Sequence, residues 1–278
     1  MNTSSLLEKA QRFRALHEGA PFVMANAWDG ASARLLESLG FPAIASSSAA
    51  AAATLGRLDG EITRDESLDH ARILVEATRC PVSADLERGF ADEPEGVAET
   101  IRRAGAVGLV GGSIEDATSE PGRLYSLAHA TERVLAAVQA ARALPFPFVL
   151  TARCENFLHG GAALDETLRR LQAYERAGAD VLFAPGLPDL ASVRAVCEAV
   201  RKPVNFMVGI RGRSFSVAEL AAAGVKRISL STSLYRAAFT GLITAAREVR
   251  ESGTFGYLDH IAGGAEVQRV LQRDAAAR

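Results

Sequence analysis

The sequence predicts an α/β fold, a (β/α)8 barrel of the TIM type with extra C-terminal helices. Three observations lead there. Eight short, almost continuously apolar runs alternate with helical segments, the pattern of a parallel sheet covered on both sides. The 278 residues suit one domain of that size, and eight strand–helix units in this length favour closure over an open sheet. The first run is followed by N-A-W-D-G, not by the G-x-G-x-x-G turn of a dinucleotide-binding sheet.

Residues 1–20 read as an amphipathic lead-in helix, with Leu6, Leu7, Ala10, Phe13 and Leu16 near helical spacing. The expected strands are Phe22–Asn26, Ala43–Ser46, Pro81–Asp85, Val107–Glu115, Phe148–Arg153, Asp180–Ala184, Pro203–Val208 and Arg227–Ser231. Helices are expected at Ala31–Leu39, Arg64–Thr78, Pro94–Ala104, Leu124–Ala143, Asp165–Ala177, Leu190–Val200 and Val217–Ala223. A last pair falls at Leu234–Glu251 and roughly Gly264–Asp274, so about 252–278 forms a helical extension. Gly40, Gly105, Gly178 and Gly224 stand where a left-handed residue would end a helix, and Asp165 and Ser216 are candidate N-caps.

Composition excludes several functions. With 31 basic against 33 acidic residues the net charge is −2, and no basic patch points to nucleic acid. No apolar run approaches the ~20 residues that span a bilayer. The N-terminus lacks a basic-then-apolar leader pattern. Cys80, Cys154 and Cys197 are odd in number and without C-x-x-C spacing, which fits a reduced, cytoplasmic setting.

In a barrel, chemistry gathers at the C-terminal ends of the strands. Those ends supply Asn26 and Asp29; Ser46, Ser47 and Ser48; Asp85 and Glu87; Glu115 and Asp116; Arg153 and Glu155; Asn205; and Ser231–Ser233. Asp85 and Glu87 are two apart, so on a strand both would leave the sheet on one face. With Glu115 and the loop residue Asp59 they suggest a divalent-cation site of the oxygen-rich kind that Mg²⁺ prefers. Asp29 and Asp116 read equally well as site carboxylates and as N-caps or solvated surface acids. Arg153 either pairs with Glu155 or Glu115, or forms a fork for a substrate carboxylate. Ser46–Ser48 opens S-S-S-A-A-A-A-A-T-L-G, either an anion cradle of backbone N–H groups or a loose small-residue loop. Lys202 and Lys226 precede their strands, at the face opposite the chemistry, which argues against a Schiff-base lysine. The five histidines show no zinc-site spacing, and His159 reads as a surface loop residue near the site.

The chain resembles the isocitrate lyase/phosphoenolpyruvate mutase superfamily across nearly its whole length. The resemblance rests on A-N-A-W-D (Ala25–Asp29), S-S-S (Ser46–Ser48), L-G-R-L-D-G-E (Leu55–Glu61), A-D-L-E-R-G-F (Ala84–Phe90), I-E-D (Ile114–Asp116), T-A-R-C-E-N-F (Thr151–Phe157) and P-V-N (Pro203–Asn205). It implies a Mg²⁺-dependent barrel, with Mn²⁺ as a substitute, that acts on 2-oxo or 2-hydroxy acids. It implies Asp85, Glu87 and Glu115 as the metal set, Asp85 binding directly and Asp59, Glu87 and Glu115 acting through metal-bound water. It further implies Ser46, Ser47, Ser48, Arg153 and Asn205 at the substrate, Arg153, Glu115 and Asp59 as catalytic groups, and a homotetramer that exchanges its C-terminal helix. The sequence departs from the family after Glu115, where D-A-T-S-E-P-G-R-L-Y carries neither the lyases' K-K-R-C-G-H lid motif nor the lysine and asparagine of the phosphonomutase lid. Arg88 stands where a small or neutral residue is usual. The expected activity is cleavage of a C–C bond in an oxaloacetate-like 2-oxo dicarboxylate through a metal-stabilised enolate. The alternatives are P–C bond chemistry on a phosphonopyruvate-like compound, or a 2-oxoacid-binding barrel with little turnover.

Overall fold

The structure, a computed structural model, describes residues 3–159 and 161–272. Helix α1 (Thr3–Leu16) leads into β1 (Phe22–Asn26). The chain then runs α2 (Gly30–Ser38), β2 (Ile44–Ala45), α3 (Ser48–Thr54), α4 (Arg64–Ala77), β3 (Val82–Asp85), α5 (Pro94–Ala106), β4 (Gly111–Glu115) and α6 (Leu127–Arg142). It continues through β5 (Val149–Arg153), α7 (Asn156–His159), α8 (Leu164–Arg176), β6 (Val181–Phe183), α9 (Leu190–Ala199), β7 (Val204–Met207), α10 (Val217–Ala222), β8 (Arg227–Ser229) and α11 (Ser233–Ser252). A 3-10 turn, Gly256–His260, precedes α12 (Gly264–Leu271), so the last helix ends before Asp274. Residues 1–2 of the expected lead-in and 273–278 of the expected extension lie outside the described residues.

The eight strands are parallel and close in sequence order, β1 pairing with β8. Alternation along each strand divides the side chains between two cores. Outward residues such as Leu150, Leu182 and Ile228 meet Leu36, Leu74, Ile101 and Val193 from the helix layer. Inward residues at the strand starts, among them Phe22, Val110, Val149 and Val181, pack on Ala10 and Phe13 of α1, which closes the N-terminal end. Gly111 makes room for that plug. A Cβ there would sit 2.7 Å from a Phe13 ring carbon and 2.9 Å from the Val149 carbonyl oxygen.

Local chemistry corrects several expectations. Ser48–Thr54 is helical, not a loop: alanine is the best helix former, and Ala50, Ala51 and Ala52 are buried with no polar face to create a period. Gly40, Gly178 and Gly224 are left-handed as expected, but α5 runs on past Gly105 and Gly108, at φ 94°, makes the turn. Gly105 is small because Leu144 packs where its Cβ would be. Ser216 caps α10 in a capping box with Glu219, whereas α8 starts one residue earlier than expected, leaving Asp165 in its first turn without a capping bond. There it favours the helix dipole instead. Among the described residues no helix is long and apolar enough to cross a membrane.

Candidate active site

At the C-terminal mouth, Asp85 is the centre of the polar contacts. Its Oδ2 lies 3.3 Å from Arg153 Nη1 and accepts from Ser48 Oγ at 3.3 Å; its Oδ1 accepts from the Glu87 N–H at 3.3 Å and from Ser113 Oγ at 3.4 Å. Charge-assisted bonds to a carboxylate are normally about 2.7–2.9 Å. Every partner of Asp85 is therefore held slightly off.

Glu87 reaches the same place by a route different from the expected one. Strand β3 ends at Asp85, and Glu87 faces the mouth because its backbone is left-handed, at φ 49°. Gly89 and Phe90 follow at φ 77° and 54°, giving a strained corner. Strain of this kind costs of order 1–3 kcal/mol per residue and persists only where surroundings hold it. The holder is Arg133 of α6, whose guanidinium donates to the carbonyls of Arg88, Ala91 (2.9 Å), Asp92 (3.1 Å) and Glu115 (3.1 Å) and stacks on Tyr125. Sequence reading missed Arg133. Its signal is its position on the buried stripe of α6 with Ala130, Val134 and Ala137.

Strand alternation separates the two acids of I-E-D. Glu115 points inward, with Oε2 3.5 Å from Arg153 Nε. Asp116 points outward and is buried among donors: the Glu155 N–H at 2.8 Å, Arg170 at 3.1 Å and Tyr174 Oη at 2.6 Å. It is neither an N-cap nor a solvated acid but a buried clamp between β4, β5 and α8. Asp29 does cap α2, in a capping box with Ser32.

Arg153 serves three acids, Asp85, Glu115 and the fully buried Glu155. It is a shared counter-ion and not a waiting fork. Burial alone would lower its pKa, yet Glu155, Glu115 and Asp85 hold it above the ordinary arginine value. His159 Nε2 lies 3.5 Å from Glu155 Oε2 and lines the mouth.

The acids repel one another. Burial, then the charges of Asp85 and Asp59, push the Glu87 carboxyl up to about 7. Burial raises Glu115 well above the usual carboxylate range, with Arg153 opposing. Asp59 hangs over the mouth from its loop. Partial burial and Asp85 push it upward while the Ser48 hydroxyl opposes, and its solvent-exposed side screens the effect.

Ser46 spends its N–H on Ser83 O (3.0 Å) and accepts the Asp85 N–H (3.0 Å) on its hydroxyl, so it offers a ligand a hydroxyl proton and not a backbone donor. Ser47 caps α3 through its side chain. Asn205, on β7, is buried deeper: its Oδ1 accepts from Arg227 Nε at 2.9 Å and its Nδ2 donates to Ser229 Oγ at 3.0 Å. Arg227 was also missed; its signal is the inward register it shares with Ser229 at the start of β8.

Two connected spaces result. An outer mouth of about 440 Å³ is bounded by Asp59, Asp85, Glu87, Arg88, Glu115 and the residues 117–123. An inner recess of about 50 Å³ lies between Ser46, Asp85, Arg153, Asn205 and Arg227. Residues 117–124 form a small hairpin, closed by the Ala117–Leu124 bridge and by Tyr125 N–H to Asp116 O at 2.9 Å. A larger cavity of about 610 Å³ opens at the other end of the barrel, around Arg14, Arg142 and Lys202, and holds none of the clustered acids. Lys226 is also at that end, on Gly19 O.

The donor set fits a hard divalent cation. It is all oxygen, its acids are held uncomfortably close, and Glu87 Oε1 is buried without any hydrogen-bond partner. Among the described residues no three Asp, Glu, His or Cys side chains converge as a ready-made ligand set. That geometry suits Mg²⁺, which keeps most of its waters and takes one or two carboxylates directly.

A phosphoenolpyruvate phosphomutase family model matches residues 13–250. The 2-methylisocitrate lyase of Escherichia coli is 30% identical over 90% of this chain and 87% of its own. The oxaloacetate decarboxylase of Paraburkholderia xenovorans is 30% identical over 90% and 83%. A crystal structure from Burkholderia cenocepacia, provisionally described as a lyase/mutase, superposes with TM-score 0.93 at 50% identity, covering 95% of this chain and 96% of its own. The mouth acids, the closed barrel and these relatives agree: the chain belongs to the phosphoenolpyruvate phosphomutase family, within the isocitrate lyase superfamily, and is an enzyme of its carbon–carbon lyase type.

Proposed function

We propose that this protein is a Mg²⁺-dependent lyase that decarboxylates a small 2-oxo dicarboxylate of the oxaloacetate class, Mn²⁺ serving as a substitute. The observation that carries the reading is the buried, unpartnered oxygen of Glu87 beside the loosely held carboxylate of Asp85. Asp85 would bind the metal directly, with Glu87, Glu115 and Asp59 accepting from its water ligands. When bound, Mg²⁺ supplies Lewis acidity, drawing electron density from the 2-oxo group as the C–C bond breaks. Cleavage releases CO2 and leaves an electron pair that the 2-oxo group takes up; a proton from solvent at the neighbouring carbon then gives pyruvate, so no side chain has to remove a proton. The hairpin at 117–124 offers no cysteine, histidine or lysine for such a task, which fits decarboxylation.

The remaining groups bind and orient. Arg153, held by Glu155 and Glu115, would offer its Nη1 edge beside Asp85 to the substrate's anionic end. The hydroxyls of Ser46, Ser47 and Ser48 and the Asn205 carboxamide receive carboxylate oxygens, and Arg88 adds positive charge at the rim. We further propose a cytoplasmic homotetramer. Helix α11 has no buried residue and shows Phe239, Leu242, Ile243 and Val249 to solvent, an apolar face that other copies would cover. Light scattering on the purified protein tests that.

The activity test follows pyruvate from oxaloacetate with and without Mg²⁺. Metal-dependent turnover is expected, and its absence overturns the reading. Phosphate release from phosphonopyruvate would favour P–C chemistry; tight oxalate binding without turnover would favour a 2-oxoacid-binding barrel.

A further inference from the structure

Arg227 is buried to 3% exposure in the barrel interior, and every partner it has is neutral. Its Nε donates to Asn205 Oδ1 at 2.9 Å, and Nη2 donates to Thr151 Oγ1 at 2.9 Å. Nη1 lies 3.4 Å from His17 Nε2, in the turn just past the helix that plugs the barrel. His17 Nδ1 is 2.8 Å from Phe13 O, so it carries the ring proton and leaves Nε2 as an acceptor. Burial, then Arg227, depresses the imidazole to about 3, which keeps His17 neutral. A buried guanidinium ordinarily pairs with a carboxylate. This one, on β8, reaches to β5, β7 and the turn after α1 to spend its donors on an amide oxygen, a hydroxyl and an imidazole.

The consequence falls on Asn205. An amide side chain has two faces, an acceptor oxygen and a donor nitrogen, and either can turn toward a ligand. With Oδ1 fixed on Arg227, Nδ2 is the atom left to donate: one N–H goes to Ser229 Oγ, and the second remains for the recess that Asn205 lines with Asp85 and Arg153. We propose that Arg227 is a positioning residue that fixes the Asn205 carboxamide as a donor, so that the recess receives an acceptor oxygen of the ligand, such as a carboxylate oxygen, and disfavours a donor group there. The inference deepens the reading under Proposed function and rests on it for the ligand. It does not rest on it for the orientation of Asn205.

A double-mutant cycle on oxalate affinity in Mg²⁺, measured by calorimetry, separates this role from a merely structural one. Arg227→Met is expected to weaken oxalate about tenfold in the wild-type background and less than twofold when Asn205 is already alanine. Mg²⁺ affinity stays unchanged, because Asp85 does not touch Arg227. Equal losses in both backgrounds, or no loss in either, overturn the proposal. Should Arg227→Met not fold, Arg227→Lys enters the same cycle with the same outcomes, since lysine keeps the charge but lacks the planar fork. The Asn205 side-chain amide resonances give a second readout without ligand. A single slowly exchanging NH2 pair is expected in wild type and a broadened or doubled pair in Arg227→Lys. If wild type binds no oxalate, the decarboxylase reading falls while these resonances still decide the role of Arg227; identical resonances in both proteins refute it.

Discussion

The two ends of this barrel resolve the same problem, polar groups inside a closed sheet, in opposite ways. At the floor, Phe13 and Ala10 fill the space, and the buried Arg227 hydrogen-bonds to neutral groups through each of its nitrogens. At the mouth, Asp59, Asp85, Glu87, Glu115 and Glu155 crowd near Arg153, two buried carboxylate oxygens, Glu87 Oε1 and Glu155 Oε2, have no hydrogen-bond partner, and the backbone is left-handed at Glu87. The floor is arranged for the protein alone. The mouth holds like charges together that Arg153 does not fully pair. Ends that differ in this way should respond oppositely to mutation.

The sharpest contrast comes from Asp85→Asn. It is expected to abolish Mg²⁺ binding and turnover, a loss beyond the about 10–100-fold typical of residues that only support a ligand. In EDTA its melting temperature should equal or exceed wild type, because a charge repelling Glu87 is gone. Retained Mg²⁺-dependent turnover would break the assignment. Phe13→Ala at the floor should do the reverse, costing about 3–5 kcal/mol in denaturant unfolding with Mg²⁺ affinity preserved. A variant as stable as wild type would mean that α1 does not plug the barrel.

Glu87 gives an intermediate effect and a sign. Its carboxyl is raised to about 7, so the metal-free fold binds that proton more tightly than the unfolded chain does. The resulting stability is fully present below about pH 4.5, the unfolded value, and is lost as pH rises through about 7. Metal binding works against the proton, so Mg²⁺ affinity should fall as pH drops below about 7. Glu87→Gln should flatten both dependences, read as EDTA melting temperatures at pH 5 and 8 and as Mg²⁺ titrations over the same range. Unchanged profiles would place the titrating group elsewhere. The smallest effect belongs to the exposed hairpin pair Arg123–Glu120, 2.7 Å apart and screened by solvent, where Arg123→Ala should leave the melting temperature essentially unchanged. A clear drop would show the hairpin to be part of the folded core.

Much of this was legible in the chain. The strands were, because an apolar run that ends in polar residues has few readings other than a barrel strand. The acids at Asp85 and Glu115 were legible for the same reason. What escaped was whatever depends on contacts between distant segments. Asp116 sits beside Glu115 in sequence, yet one residue of alternation sends it to Arg170 and Tyr174. The α3 helix has no polar face and so no period to read. Glu87 reached its predicted place through a left-handed turn that no spacing rule anticipates. Arg133 and Arg227 look like surface charges until the strands that consume their donors are brought around them.

The Asp116 clamp also bears on how such a molecule changes. Arg170 and Tyr174 hold the post at the foot of the 117–124 hairpin from the outside, independently of the acids within. A segment of another length or composition spliced between Ala117 and Leu124 would leave Glu115 and the barrel where they are. The hairpin behaves as an exchangeable module, so substrate range can drift by replacing it while the catalytic frame is inherited unaltered.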